Sequence, residues 1–264
     1  MIRYITVAIF ALTSSFCFAG AISVEFKEKG AGLSDAPTIN FVWPAKQAKA
    51  TLIFIPGGEG RLGITNDRAN LGGFYGATLK PLSDEKITSG NFNVVVFDSP
   101  VNLPGTDWPH SRQSQEHLLR IESVVRHFKN LYSLPVWVMG HSNGAVSITA
   151  FYKMLQDSGA ESLVKGAIYS SGRNGADFTD TTKLPILFLA HERDACKKSE
   201  PSSSKVVFEK QSKTNTMKLK YFIIKGGESQ PQNPCSSGFH MFNGAAQEAY
   251  SAIEAFVIDV ETTK

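Results

Sequence analysis

The stretch VWVMGHSNGAVSITAFY, residues 136–152, carries two hydrophobic periodicities on either side of one serine. Val136 to Met139 is a continuous apolar run, the pattern of a strand buried on both faces. From Ala145 to Leu155 apolar residues recur at helical spacing. Between the two stands Gly140-His141-Ser142-Asn143-Gly144. A strand that turns sharply into a helix forces its turn residue into strained backbone geometry, and the positions two before and two after must be small or their side chains collide. Gly140 and Gly144 meet that requirement, and the Ser142 hydroxyl is left exposed at the turn. A lone Gly-x-Ser-x-Gly is a weak signal; a strand before it and a helix after it make it a specific one.

Outward from this turn, short apolar runs alternate with segments of helical period. Ala50 to Pro56, Asn93 to Asp98, Pro135 to Gly140, Gly166 to Ser170, Pro185 to Ala190 and Leu219 to Ile224 are strand candidates rich in β-branched and aromatic residues. Leu118, Ile121, Val125, Phe128 and Tyr132 form one amphipathic stripe and Ala246, Ala249, Ile253, Phe256 and Val260 another. Such alternation implies an α/β fold, a doubly wound and mostly parallel sheet with helices on both faces. Thr38 to Trp43 is expected to add an antiparallel edge strand. Glu200 to Ser204 and Gly226 to Gly238 read as loops inside this pattern, too short to separate domains.

Composition narrows the function classes. With 42% hydrophobic and 19% charged residues in 264, the chain can bury one sizeable core. Its scattered charges sum to +3 and leave no basic stripe for a polyanion, so nucleic acid is not an expected partner. Residues 1–19 read as a secretory signal peptide: Arg3 supplies the positive start, Ile5 to Leu12 the apolar stretch, and Ala19, Gly20 and Ala21 the small residues of a cleavage site. That apolar stretch is shorter than the roughly 20 residues a spanning helix needs, so no stable membrane anchor is expected after cleavage. Phe16 before Cys17 argues against a lipoprotein cysteine. The expected mature chain, residues 20–264, is a single domain, periplasmic or secreted, with two cysteines. In an exported chain Cys196 and Cys235 read as a disulfide. Two cysteines without a His-x-x-x-His or Cys-x-x-Cys spacing suggest no metal site.

Open α/β sheets bind ligands at the carboxyl ends of their strands. Four groups follow strand candidates on that edge: Gly57-Gly58-Glu59-Gly60, the Ser142 turn, His191-Glu192-Arg193-Asp194, and a long loop holding His240. Gly58-x-Gly60-x-x-Gly63 formally matches a dinucleotide fingerprint. It lacks the second strand that such a site needs before an acidic residue, because Asp84 and Glu85 follow Leu79 to Ser83 rather than a buried run. No cofactor is expected. The same glycines suit a loop whose backbone N–H groups approach a substrate oxyanion closely.

A serine needs a base, and the base an orienting acid. In order of elements and in Gly57-Gly58-Glu59-Gly60, Gly140-His141-Ser142-Asn143-Gly144, His191-Glu192-Arg193-Asp194-Ala195-Cys196 and Cys235-Ser236-Ser237-Gly238-Phe239-His240, the chain resembles the α/β-hydrolase superfamily, in particular its small secreted bacterial serine hydrolases without a large cap domain. The resemblance implies Ser142 as nucleophile, His240 as general base and Asp194 as its acid. It also implies oxyanion-hole N–H groups from Gly58 and Asn143. Many relatives carry a histidine before these glycines where this chain has Pro56, which leaves Gly58 and Glu59 as alternatives for the second donor.

The other groups have competing readings. His117 and His127 are expected on the surface of a helix, and His141 is the variable residue of the turn. Asp177 or Asp180 would replace Asp194 only if the strand assignment shifted by one. Asp98 is expected to make a loop hydrogen bond or helix cap, and Trp108 and Phe239 are candidates to shape an acyl pocket. The expected function is cleavage of small ester or thioester substrates through an acyl-enzyme on Ser142. The alternatives are a catalytically silent binding protein on the same fold and an amidase or peptidase using the same three residues.

Overall fold

The computed structural model describes residues 19–27, 34–65, 71, 73–100 and 108–263. The leader reading of residues 1–19 lies, apart from Ala19, outside the described residues, as does the Trp108 side chain. The strands are β1 (Gly20–Val24), β2 (Thr38–Trp43), β3 (Ala50–Ile55), β4 (Phe92–Asp98), β5 (Val136–His141), β6 (Gly166–Ser170), β7 (Ile186–His191) and β8 (Leu219–Ile224). They form one eight-stranded sheet in the order β1-β2-β4-β3-β5-β6-β7-β8. From β4 to β8 every neighbouring pair is parallel, and β2 on β4 and β1 on β2 are antiparallel.

The parallel strands are those with continuous apolar runs: β3, β4, β5, β6 and β7 are buried along their whole length. This follows from helices on both faces. One core packs α2 (Gln115–Tyr132), α3 (Asn143–Asp157) and Val207 of α4 (Pro201–Thr214) against the sheet. The other packs α5 (Ala246–Thr262) and the segment from Leu71 to Leu82 against the opposite face. The sheet is therefore doubly wound, as the alternation implies.

Three expectations need correction. Thr38–Trp43 is antiparallel but not an edge strand, because Gly20–Val24 pairs along its outer side. Residues 200–204 are not a loop: Pro201 opens α4, its fixed φ suiting the first helical turn and its missing N–H costing nothing there. The α2 face that carries His117 is not at the surface either. His117 and Arg120 are both buried: His117 packs against the Phe97 ring of β4 and bonds to Ser147 Oγ of α3 at 2.8 Å, while the segment before β2 folds over Arg120, which donates to the Ser34 and Ala36 carbonyls and lies 4.1 Å over the Phe26 ring. His127 is half-buried and His110 exposed.

Candidate active site

β5 ends and α3 begins within two residues, and Ser142 takes φ 54 and ψ −121 to connect them. A positive φ costs a non-glycine residue on the order of 1–3 kcal/mol and persists only where its surroundings enforce it. Here they are backbone. A Cβ on Gly140 would collide with the Gly144 carbonyl, and a Cβ on Gly144 with the carbonyl of Ile55 at the end of β3. Gly57, just beyond β3, packs so closely that a Cβ there would lie 2.9 Å from Ser142 Cβ and 3.0 Å from the His141 carbonyl oxygen. Ser142 N–H donates to the Ser170 carbonyl at 3.0 Å, tying the turn to the end of β6. The side chain stands at the N-terminus of a 15-residue helix, where the helix dipole favours negative charge.

His240 and Asp194 arrive from the next strand ends. Asp194 follows β7, and His240 lies on a short helical turn, Gly238–Met241, in the loop after β8. His240 Nδ1 meets Asp194 Oδ2 at 2.8 Å with both side chains buried. The other carboxylate oxygen, Oδ1, accepts the Cys196 backbone N–H at 2.9 Å, so both carboxylate oxygens are engaged. Cys196 is joined to Cys235 by a disulfide. The loop after β7 and the loop after β8 are thus covalently tied two residues past Asp194 and five before His240.

The His240 ring packs 4.9 Å from that of His141, which places it beside the Ser142 turn. His240 Nε2 is buried and has no hydrogen-bond partner among the described residues, so no bond joins it to Ser142 Oγ in this state. His141 is buried against Phe74 and bonded through Nδ1 to Ser170 Oγ at 3.0 Å; burial, together with the neighbouring His240, pushes its pKa well down. The variable residue of the turn is therefore a neutral packing partner of His240.

No protein-family model matches the chain, and no curated protein matches it. Solved structures do. The chain is similar to a serine hydrolase without a lid from Xanthomonas campestris, with a TM-score of 0.59 at 13% identity over 93% of this chain and 96% of that one. It is similar to dienelactone hydrolase from Anabaena variabilis, with a TM-score of 0.56 at 13% identity over 91% and 95% of the two chains. Carboxylesterase NP of Bacillus subtilis, a naproxen esterase, gives a TM-score of 0.53 at 12% identity over 91% and 92%. The fold is the α/β-hydrolase fold.

On this α/β-hydrolase sheet the remaining candidates have other partners. Asp177 and Asp180 are exposed and pair with Lys210 at 2.6 and 3.1 Å, away from the imidazoles. Asp98 accepts the backbone N–H groups of Leu62 and Ile64 at 2.5 and 2.7 Å, the expected loop hydrogen bond; burial raises its pKa against those bonds. The Phe239 ring stacks 4.4 Å from His191 and carries the Arg193 guanidinium 4.4 Å above it. Gly58 has φ +55 and open space where a Cβ would stand.

The sequence reading missed Arg112, the last residue of the short helix α1 (Trp108–Arg112). Its side chain is buried, with 1% of the residue exposed, and reaches the glycine loop. Nη1 donates to the Pro56 carbonyl at 2.9 Å, and Nη2 to those of Gly57 and Gly58 at 3.1 and 2.7 Å. Asn143, the residue after Ser142, donates through Nδ2 to the same Gly58 carbonyl at 2.8 Å. An isolated arginine whose partners are carbonyl groups leaves no spacing pattern in a sequence.

Proposed function

We propose that the protein is a serine hydrolase that cleaves carboxylic ester or thioester bonds of small substrates through an acyl-enzyme on Ser142. The observation that carries the reading is the buried 2.8 Å bond from His240 Nδ1 to Asp194 Oδ2, with the opposite nitrogen free beside the strained Ser142 turn. An Asp-bound Nδ1–H leaves Nε2 as the acceptor in neutral imidazole, the tautomer that can take the serine proton.

In the proposed sequence Ser142 Oγ attacks the acyl carbon while Nε2 takes its proton. The negative charge passes to the former carbonyl oxygen, where the N–H groups of Gly58 and Asn143 and the N-terminus of α3 stabilise it. The imidazolium returns the proton to the departing alkoxide or thiolate, the acyl group stays on Ser142, and water repeats the steps to release acid and free serine. Asp194 holds the ring orientation and the charge that forms on it. His240 Nε2 makes no bond to Ser142 Oγ, and such catalytic bonds commonly tighten only in the Michaelis complex.

The proposal includes export to the periplasm or beyond after cleavage following Ala19. A disulfide between the two loops supports that reading, because such bonds persist in oxidising compartments. Hydrolysis of p-nitrophenyl acetate and butyrate without added metal or nucleotide, abolished by Ser142→Ala, is the test. Turnover undiminished in that variant would remove the assignment.

A further inference from the structure

Arg112 is a buried cation that forms no ion pair among the described residues. Burying a charge without a counter-charge is costly unless hydrogen bonds replace its water. Here four acceptors do so for Nη1 and Nη2, namely the carbonyls of Pro56, Gly57 and Gly58 and, at 3.3 Å, Ser147 Oγ, while Nε has no hydrogen-bond partner among the described residues. Ser147 in turn meets His117 Nε2 at 2.8 Å, and burial with the adjacent guanidinium keeps that imidazole neutral. Burial pulls the Arg112 guanidinium down to about 10, which leaves it charged at neutral pH.

The geometry of a trans peptide gives these contacts a direction. In such a peptide the N–H points opposite the C=O, and the described residues contain no cis bond. Fixing the Gly57 carbonyl on Arg112 therefore aims the Gly58 N–H away from Arg112, and fixing the Gly58 carbonyl aims the Glu59 N–H away from it. Both alternatives for the second oxyanion donor are oriented by the same guanidinium. Asn143 Nδ2 also donates to the Gly58 carbonyl, at 2.8 Å. Gly60 has φ +74, which favours glycine, and a Cβ there would also press on the guanidinium.

We propose that Arg112 is a positioning residue that aims the N–H groups of the Gly57–Glu59 loop at the developing oxyanion and adds a fixed positive charge behind them. The inference rests on the proposed hydrolase reading. It differs from a purely structural role because it concerns charge that appears only in the transition state, so the substitution should act on kcat and leave KM nearly alone.

The test compares wild type, Arg112→Lys and Arg112→Met with p-nitrophenyl butyrate as substrate and phenylboronic acid as a reversible tetrahedral mimic. Rates are expressed per serine labelled by a fluorophosphonate, so that loss of folded protein does not count. Arg112→Met should lose about 10² to 10³ in kcat per labelled serine, the size of losing one oxyanion donor, with KM within about threefold. The boronate inhibition constant should rise by the factor that kcat/KM falls. Arg112→Lys keeps the charge but cannot reach three carbonyls in one plane, so it should recover part of the rate. If Arg112→Met does not fold, Arg112→Lys decides alone: a loss of kcat of about tenfold with unchanged KM supports the inference. A kcat per labelled serine equal to wild type in Arg112→Lys overturns it. Wild type that takes no label at Ser142 would instead overturn the hydrolase reading on which the inference stands.

Discussion

Ser142 and His240 reach the same edge of the sheet, but they are held there in unlike ways. Ser142 is fixed by closure: Gly57, Gly140 and Gly144 bring three segments of backbone so near that no Cβ fits between them, and the turn cannot move without moving β3 or β5. His240 lies on a long loop beyond β8, in a stretch where most side chains from Glu228 to Ser237 are exposed. What fixes it is a small number of directed bonds: the Asp194 carboxylate, the Cys196 N–H that orients that carboxylate, and the disulfide to Cys235. Steric closure yields position at the cost of tolerating no added atom. A stapled loop tolerates substitution broadly but depends on its few tethers.

This contrast can be broken or sharpened at several points. The largest effect is expected from His240→Ala, which leaves both backbones alone and removes the base. kcat/KM toward p-nitrophenyl butyrate should fall by about 10⁴ or more, with the thermal midpoint shifted by only a few degrees. A rate within tenfold of wild type would detach the His240 loop from the chemistry.

Next in size is Gly144→Ala. One methyl group meets the Ile55 carbonyl, a backbone atom that cannot rotate away. The expected loss is more than about 4 kcal/mol, in the range reserved for the severest core changes and close to the whole stability of an ordinary domain. Denaturant midpoints measure it, and a loss under 1 kcal/mol would show that the elbow is not closed as described.

The tether on the other half should matter less to folding and more to rate. Cys196 and Cys235 are 39 residues apart in sequence, and closing a loop of that length contributes about 4 kcal/mol at most in the chain-entropy model. Cys196→Ser with Cys235→Ser should lower the thermal midpoint and also cut kcat, by up to about a hundredfold for a misplacement near 1 Å. Unchanged kcat in the folded double variant would mean that hydrogen bonds alone position Asp194 and His240. A thiol titration of the unfolded, unreduced protein checks the bond itself and should find no free sulfhydryl from this pair.

The effect of least consequence for turnover is a pH dependence of stability. Burial holds His117 and His141 neutral, their pKa values well below the ordinary 6.5. The unfolded chain takes up those two protons below about pH 6.5 while the folded chain does not, so stability is full above that pH and is lost as pH falls toward 5. The slope approaches about 1.4 kcal/mol per pH unit for each imidazole. In His117→Gln the slope between pH 6.5 and 5 should fall by the share of one imidazole, up to about 1.4 kcal/mol per pH unit, whatever happens to the midpoint. An unchanged slope would place the proton uptake elsewhere.

How far the sequence alone reached follows the same division. Strands β3 to β7 could be read because burial on both faces leaves unbroken apolar runs, and the turn at Ser142 because its steric demands select glycine at two fixed positions. The cysteine pair was readable because an expected leader cleavage leaves only two. β1 was missed because Gly20 to Val24 abuts the leader and carries no run of its own. The start of α4 was missed because Pro201-Ser202-Ser203-Ser204 has loop composition and the residue before it, Glu200, makes no side-chain cap bond. His117 was misplaced because its burial depends on Phe97 of β4 and Ser147 of α3, contacts between distant residues that helical periodicity does not encode. Arg112 left no trace for a related reason, since its partners are the backbone carbonyls of Pro56, Gly57 and Gly58.

Covalent labelling tests the proposed chemistry most directly. The native protein and Ser142→Ala, both shown to be folded, are incubated with a fluorophosphonate, digested, and the adduct located by mass. The native chain should take up one phosphonyl group on the peptide that contains Ser142, and Ser142→Ala none. Native protein that remains unlabelled, or a Ser142→Ala chain that labels equally, would contradict the assignment of Ser142 as the nucleophile.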